Sequence, residues 1–304
     1  ASYNTALGRN TLLVATTAAE NTAIGNAAMS ATTTGGYNVA VGAAALDAHT
    51  TGESNVAVGG NCLSTATTAT GNTAVGRQAM HLTTTGHSNA AVGYYSLYAN
   101  TTGNFNTAVG KGALQDNTTA DKVTAVGFES LASNTTGADN TAVGHATLNA
   151  STTGAYNVAV GYDALAANTT GNHNTAVGNN ALKASTTSGN VAVGEDALLT
   201  STTGIQNIAM GQSALRLSTT GHYNIAIGAN SLANNTTGGE NTAVGKDSLE
   251  ANTTASYNTA VGNEELEANT TGGQNVAVGA YALDASTTAG DNTAVGYEAL
   301  TANT

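Results

Sequence analysis

Apolar residues recur along this chain with a period of 17. Taking an asparagine as position 1, the phrase Asn-Thr-Ala-Val-Gly, as in Asn140 to Gly144, is followed by leucine at position 9 (Leu148) and by Thr-Thr-Gly from position 13 (Thr152 to Gly154). Eighteen copies begin between Asn4 and Asn292, with Val123 standing in once for the asparagine. The step is 17 residues everywhere except from Asn174 to Asn190, where it is 16. Position 3 is always Ala and position 5 always Gly; position 4 is Val or a close substitute, and position 9 is Leu or Met. Self-similarity at a short fixed period is the signature of a solenoid.

The pattern disfavours helix. Glycine recurs, Thr and Val are β-branched, and Thr-Thr-Gly breaks each copy. Helical-hairpin repeats also need roughly 34 residues or more. The spacing instead predicts two short strands per copy, joined by turns. Alternation along the first strand puts positions 2 and 4 on one face, which their apolar character assigns to the coil interior. Positions 9 and 11 then form the opposite wall, and the glycines at 5 and 15 turn the corners. Asparagines at position 1 would stack as a ladder of side-chain amides. The expected fold is all-β: a parallel β-solenoid (β-roll) of 18 coils over residues 1–304, one repeat array and a rod roughly 85 Å long at about 4.8 Å per coil.

On this reading Ala at position 3 points outward, where solvent would tolerate Ser, Lys or Glu, yet only Ala occurs. One Val and one Leu per coil contribute about 3–6 kcal/mol when buried, whereas ordering 17 residues costs roughly 17–34 kcal/mol of backbone entropy. A further buried face would help. The alanines, represented by Ala40, Ala91, Ala142, Ala192, Ala243 and Ala294, are therefore expected to form the interface of a parallel homo-oligomer, most simply a trimer. The alternative is that alanine simply fits a tight turn or a narrow two-sided coil.

Composition narrows the function. Only 9% of residues are charged and 4% aromatic, with no Trp or Pro, which suits a thin core of small side chains. A net charge of −12 argues against a basic face for nucleic acid or anionic membranes. Cys62 is the only cysteine, excluding an intrachain disulfide. No apolar run is long enough to span a bilayer. Ala1 falls at position 15 and Thr304 at position 13, so the chain reads as a processed or excerpted segment, and end-to-end stacking of copies is expected.

Candidate chemistry is sparse. The histidines (His49, His81, His87, His145, His173 and His222) occupy five different repeat positions and read as scattered polar residues. Cys62 replaces Ala or Ser at position 8. Glu250, Glu267 and Asp284 share position 10 of successive coils. Such a ladder repels; it reads as a solvated face, with Ca²⁺ as the weaker alternative. Tyr94, Tyr95 and Tyr98 crowd one coil, and Tyr37, Tyr156, Tyr223 and Tyr257 recur at position 17. Tyrosines stack on sugar rings, making the first three a weak glycan-binding candidate, or they seal corners between coils. The Thr-Thr rows read as a turn ladder rather than an ice-binding array. Asn100, Asn134, Asn168, Asn252 and Asn269 head Asn-Thr-Thr sequons. No phosphate loop, catalytic triad or carboxylate pair stands out, and no enzyme activity or cofactor is expected.

The phrase Asn157 to Leu165, Asn-Val-Ala-Val-Gly-x-x-Ala-Leu, resembles the repeat of trimeric autotransporter adhesin heads. The longer phrase Asn140 to Gly154 also resembles repeats of phage tail-fibre-like proteins. The resemblance spans the chain, although the 17-residue repeat is longer than that of the heads. It implies a left-handed parallel β-roll, trimeric, in a surface fibre. The expected function is a structural or adhesive extracellular fibre or filament subunit at a cell or virion surface. The alternative is a receptor- or glycan-binding tail-fibre module.

Overall fold

The computed structural model describes residues 1–301 and 303. The chain is an all-β parallel solenoid with one three-residue strand in each of its 18 copies. It divides into two compact units, Ala1–Tyr156 and Asn157–Thr304. The first holds β1 (Thr5–Leu7) through β9 (Thr141–Val143) and the second β10 (Val158–Val160) through β18 (Thr293–Val295). Within each unit every strand pairs in parallel with the next, alanine opposite alanine, as in Ala6↔Ala23 and Ala159↔Ala176. The 16-residue step preserves this register, with Ala176 opposite Ala192.

The second strand expected in each copy is absent among the described residues. Positions 7, 9 and 17 adopt left-handed backbone throughout; the position-9 residues have φ between 47° and 56°, as at Leu12 and Leu300. Left-handed residues coil the segment into successive turns and prevent an extended run. Cross-coil hydrogen bonding persists nevertheless. The Ala44 amide donates to the Asn26 carbonyl in the preceding coil (2.9 Å), and Leu46 and Ala48 donate to Cys62 and Ser64 in the next (3.0 and 3.2 Å). The turns therefore satisfy their backbone groups between coils, as strands do. Gly at position 5 is required: an added Cβ at Gly76 would lie 2.5 Å from the Gly93 carbonyl oxygen, at a φ of 136° that other residues rarely adopt.

The strand faces are the reverse of the expectation. Ala40, Ala91, Ala142, Ala192 and Ala243 are 0% exposed and Ala294 is 3% exposed. They line the inside of their own coils and cannot form an interface with another chain. Positions 2 and 4 point outward, and Val143, expected to fill the coil, is exposed. The opposite wall is built from positions 8, 9 and 12 rather than 9 and 11, because turn backbone does not alternate as a strand does. Small size at position 3 follows from the narrow lumen. The side chain at position 8 reaches the position-3 carbonyl of the next coil: Ser130 Oγ donates to Ala142 O and Ser231 Oγ to Ala243 O, both at 3.1 Å.

Polar ladders close the coils. The position-1 asparagines of the 17-residue coils donate from Nδ2 across their own coil to the position-15 carbonyl, as Asn72 does to Gly86 (2.9 Å), and Asn174 of the short coil reaches Thr187 O instead (2.7 Å). Oδ1 accepts the next asparagine's amide, as Asn72 Oδ1 does from Asn89 N (2.9 Å). The expected amide ladder is therefore present. A second one runs at position 12, where Asn117 Nδ2 donates to Asn100 Oδ1 and Asn134 Nδ2 to Asn117 Oδ1 (3.0 and 3.1 Å). Position-13 threonines bond from coil to coil through hydroxyl and carbonyl, as Thr101 Oγ1 does to Thr118 O (2.9 Å).

Candidate interaction surfaces

Outside the coils, the side chains sort into columns. The strand's outer face carries two of them. Position 2 is Thr, Val or Ile apart from Ala90, and position 4 is Val, Ile, Met or Leu. Val92, Val109 and Val143 in the first unit are 37–41% exposed, and Val158, Val160, Met210, Ile227 and Val276 in the second are comparably open. Parallel, in-register pairing makes this a stripe of threonine and aliphatic side chains nine strands deep in each unit.

Position 6, past the position-5 glycine, forms the next column. In the first unit it reads Arg77, Tyr94, Lys111, Phe128 and His145 over five successive coils, all exposed. The Arg77 guanidinium lies 5.8 Å from the Tyr94 ring centre, and Lys111 Nζ lies 5.2 Å from that of Phe128. Phe128 stacks on His145 at 5.1 Å. A branch leaves this column across the coil surface. Tyr94 packs on Tyr95 (4.0 Å), Tyr95 meets Tyr98 edge-on (5.0 Å), and Tyr98 stacks on His81 (5.3 Å). The three tyrosines singled out from the sequence are thus one contiguous cluster. A side-chain hydrogen bond with Tyr94 holds the Tyr95 phenol above its ordinary range, and partial desolvation adds to this.

Glu250, Glu267 and Asp284 do form a column at position 10. Burial, with repulsion from Glu264, Glu250, Asp247 and Asp284, raises the Glu267 carboxyl above its ordinary range. The carboxylates stack without converging: among the described residues no three His, Cys, Asp or Glu side chains form a group suited to a metal ion. Lys246 pairs with Asp247, and Lys183 with Asp163 at 2.8 Å.

Several candidates are absorbed by the fold. Cys62 is buried, its Sγ lying 3.2 Å from Ala74 O in the place of the position-8 hydroxyls. Burial pushes its thiol up to about 12. His49 is buried at position 12, with Nε2 2.9 Å from Gly52 O, where the asparagines elsewhere bond, and burial lowers its basicity. The sequon asparagines Asn100, Asn134, Asn168, Asn252 and Asn269 are all fully buried and are closed to modification in the folded coil. At the short coil, His173, Ser188, Gly189, Ile205 and Gln206 line an open dish of about 450 Å³.

Sequence reasoning placed Glu265 only among the carboxylates near the Glu267 column, not in the core. It occupies position 8, where other coils carry a small residue, and it is fully buried with neither carboxylate oxygen hydrogen-bonded. Burial, with the neighbouring Glu264 charge, raises its carboxyl above the ordinary range. The signal was a charged residue in a column otherwise made of Ala, Ser, Thr and Cys.

Comparison of the chain with protein-family models and with curated proteins gives no match.

Proposed function

We propose that this protein is a non-catalytic structural subunit of an extracellular or surface fibre. It associates side by side with parallel copies of itself through the outer strand face. The observation that carries this reading is the exposed Thr/Val column pair at positions 2 and 4. Two columns about 7 Å apart, repeated over nine coils at about 4.8 Å, cover on the order of 300 Å² in each unit, within the range of the largest apolar patches on monomers. Such patches mark interaction sites, and this one is flat, regular and almost free of charge, which suits another copy of itself. A trimer brings three such faces to a common axis and covers all of them. The resemblance of the repeat to adhesin-head and tail-fibre sequences supports the surface location and an adhesive role.

Sedimentation equilibrium with electron microscopy tests the reading. Side-by-side bundles of coils, three-fold about the long axis, are the expected result. Isolated single chains at micromolar concentration would overturn it.

A further inference from the structure

The position-6 column and its tyrosine branch are not needed to build the coil. Position 6 is Asn26, Ala43, Gly60, Asn179 and Ala229 in other coils that fold identically. The sequence Arg77, Tyr94, Lys111, Phe128, His145 is therefore free to serve something else. Cation and aromatic ring alternate from coil to coil over its first four members, and the rings are held by their cationic neighbours. Neither Arg77 nor Lys111 makes an ion pair among the described residues.

The charge is unusual for this chain. Seven Lys and Arg oppose nineteen Asp and Glu, yet two of the seven stand two coils apart on one exposed line. Of the flanking position-7 residues in these five coils, Gln78, Tyr95, Gly112, Glu129 and Ala146, only Glu129 is acidic. A line of local positive charge on an acidic protein focuses anions at that place. An exposed aromatic ring offers apolar surface to a sugar ring, and Arg grips a carboxylate with two parallel hydrogen bonds.

We propose that this column binds an extended acidic polysaccharide, a polyuronate strand lying along the coil axis. Successive coils are about 4.8 Å apart, close to the advance of one pyranose ring in an extended chain. A sugar can then pack on Tyr94 and against the exposed edge of Phe128, whose two faces are turned to Lys111 and His145, while the carboxylates of intervening sugars meet Arg77 and Lys111. The Tyr95, Tyr98 and His81 branch widens the platform beside Tyr94. Rings and charges are both required, which separates this partner from a simple polyanion. The proposal does not depend on side-by-side assembly.

Binding of polygalacturonate oligomers to the full chain tests it, with dextran and polyglutamate as neutral and sugar-free comparisons. Tyr94→Asn with Phe128→Asn removes the rings, and Arg77→Asn with Lys111→Asn removes the charges. Asparagine is native at this position in Asn26, Asn179 and Asn263, so both double variants should keep the wild-type circular dichroism and melting profile. Each should weaken polygalacturonate binding roughly tenfold or more, and the charge variant should also flatten its salt dependence. Dextran and polyglutamate should bind at least tenfold more weakly than polygalacturonate. The proposal is overturned if polygalacturonate does not bind or if either variant binds it as the wild type does. It is equally overturned if polyglutamate binds as well.

Discussion

At the scale of single residues, position 9 shows how backbone conformation selects a side chain. Every position-9 residue is left-handed, and the set contains Leu and Met but never Val or Ile. Volume alone does not separate Leu from Ile. A β-branched side chain is a severe misfit at positive φ, whereas Leu tolerates the conformation at about 1–2 kcal/mol. Positions 7 and 17 exclude Thr, Val and Ile in the same way, in a chain rich in Thr and Val. That exclusion was visible in the sequence and would have revealed the turns in place of a second strand. Leu97→Ile should therefore lower stability by about 1–3 kcal/mol, while Leu97→Met should cost less than about 1.5 kcal/mol, since Met29 and Met80 already fill the site. Denaturant midpoints of the two variants measure the difference. Glu265 gives a second residue-scale test. Its folded carboxyl is raised by burial, so folding favours the protonated form. The cost is absent below the unfolded pKa and grows as pH rises from there through the folded pKa. Glu265→Ser should match the wild type at strongly acid pH and exceed it near neutrality, by about 1–3 kcal/mol for an unsatisfied buried group. Melting curves across that range check the sign.

At the scale of the element, the strand is only three residues long and owes little to propensity. Its edges are fixed by the asparagine before it and the glycine after it. Asparagine bonds both across its own coil and to the next, as at Asn72, and this ladder was legible because an in-phase amide has few alternatives. The facing of the strand was not. A three-residue Val-Ala-Val segment has two parities, and apolar character favoured burying the pair of valines. The deciding fact is the width of the lumen, where a position-8 hydroxyl already reaches the position-3 carbonyl; sequence does not report that distance. Invariant alanine was the right clue read in the wrong direction. The break at Val123 offers a test of the ladder. Its amide still donates to Asn106 Oδ1 at 2.9 Å, but its side chain cannot bond across the coil. Asn140 Nδ2 instead reaches Gly137 O at 3.2 Å as well as Gly154 O. Val123→Asn should restore the missing donor and raise the melting midpoint, by about 1 kcal/mol in stability for one net hydrogen bond. An unchanged or lower midpoint would show that the buried valine methyls contribute as much as the amide.

At the scale of the whole molecule, the two faces of the strand make opposite demands that one experiment separates. The inner face is intramolecular: Ala91 is fully buried, and Ala91→Val would overpack a lumen with no spare room, at about 1–3 kcal/mol. Its effect on melting should be the same at every protein concentration, because each chain carries the cost alone. The outer face is the one through which the proposed assembly forms. Val92 and Val143 are exposed and stand three coils apart, so replacing both with Glu costs the isolated chain little. In a parallel oligomer the same change buries like charges against each other, which is strongly unfavourable. Association stabilises by mass action, so the wild-type melting midpoint should rise with protein concentration. The double glutamate variant should lose that dependence and sediment as a single chain, while Ala91→Val keeps the dependence on a lower curve. The reverse assignment, with Ala91→Val dissociating the assembly and the glutamates leaving it intact, is the outcome that a buried alanine column and an exposed valine column do not permit.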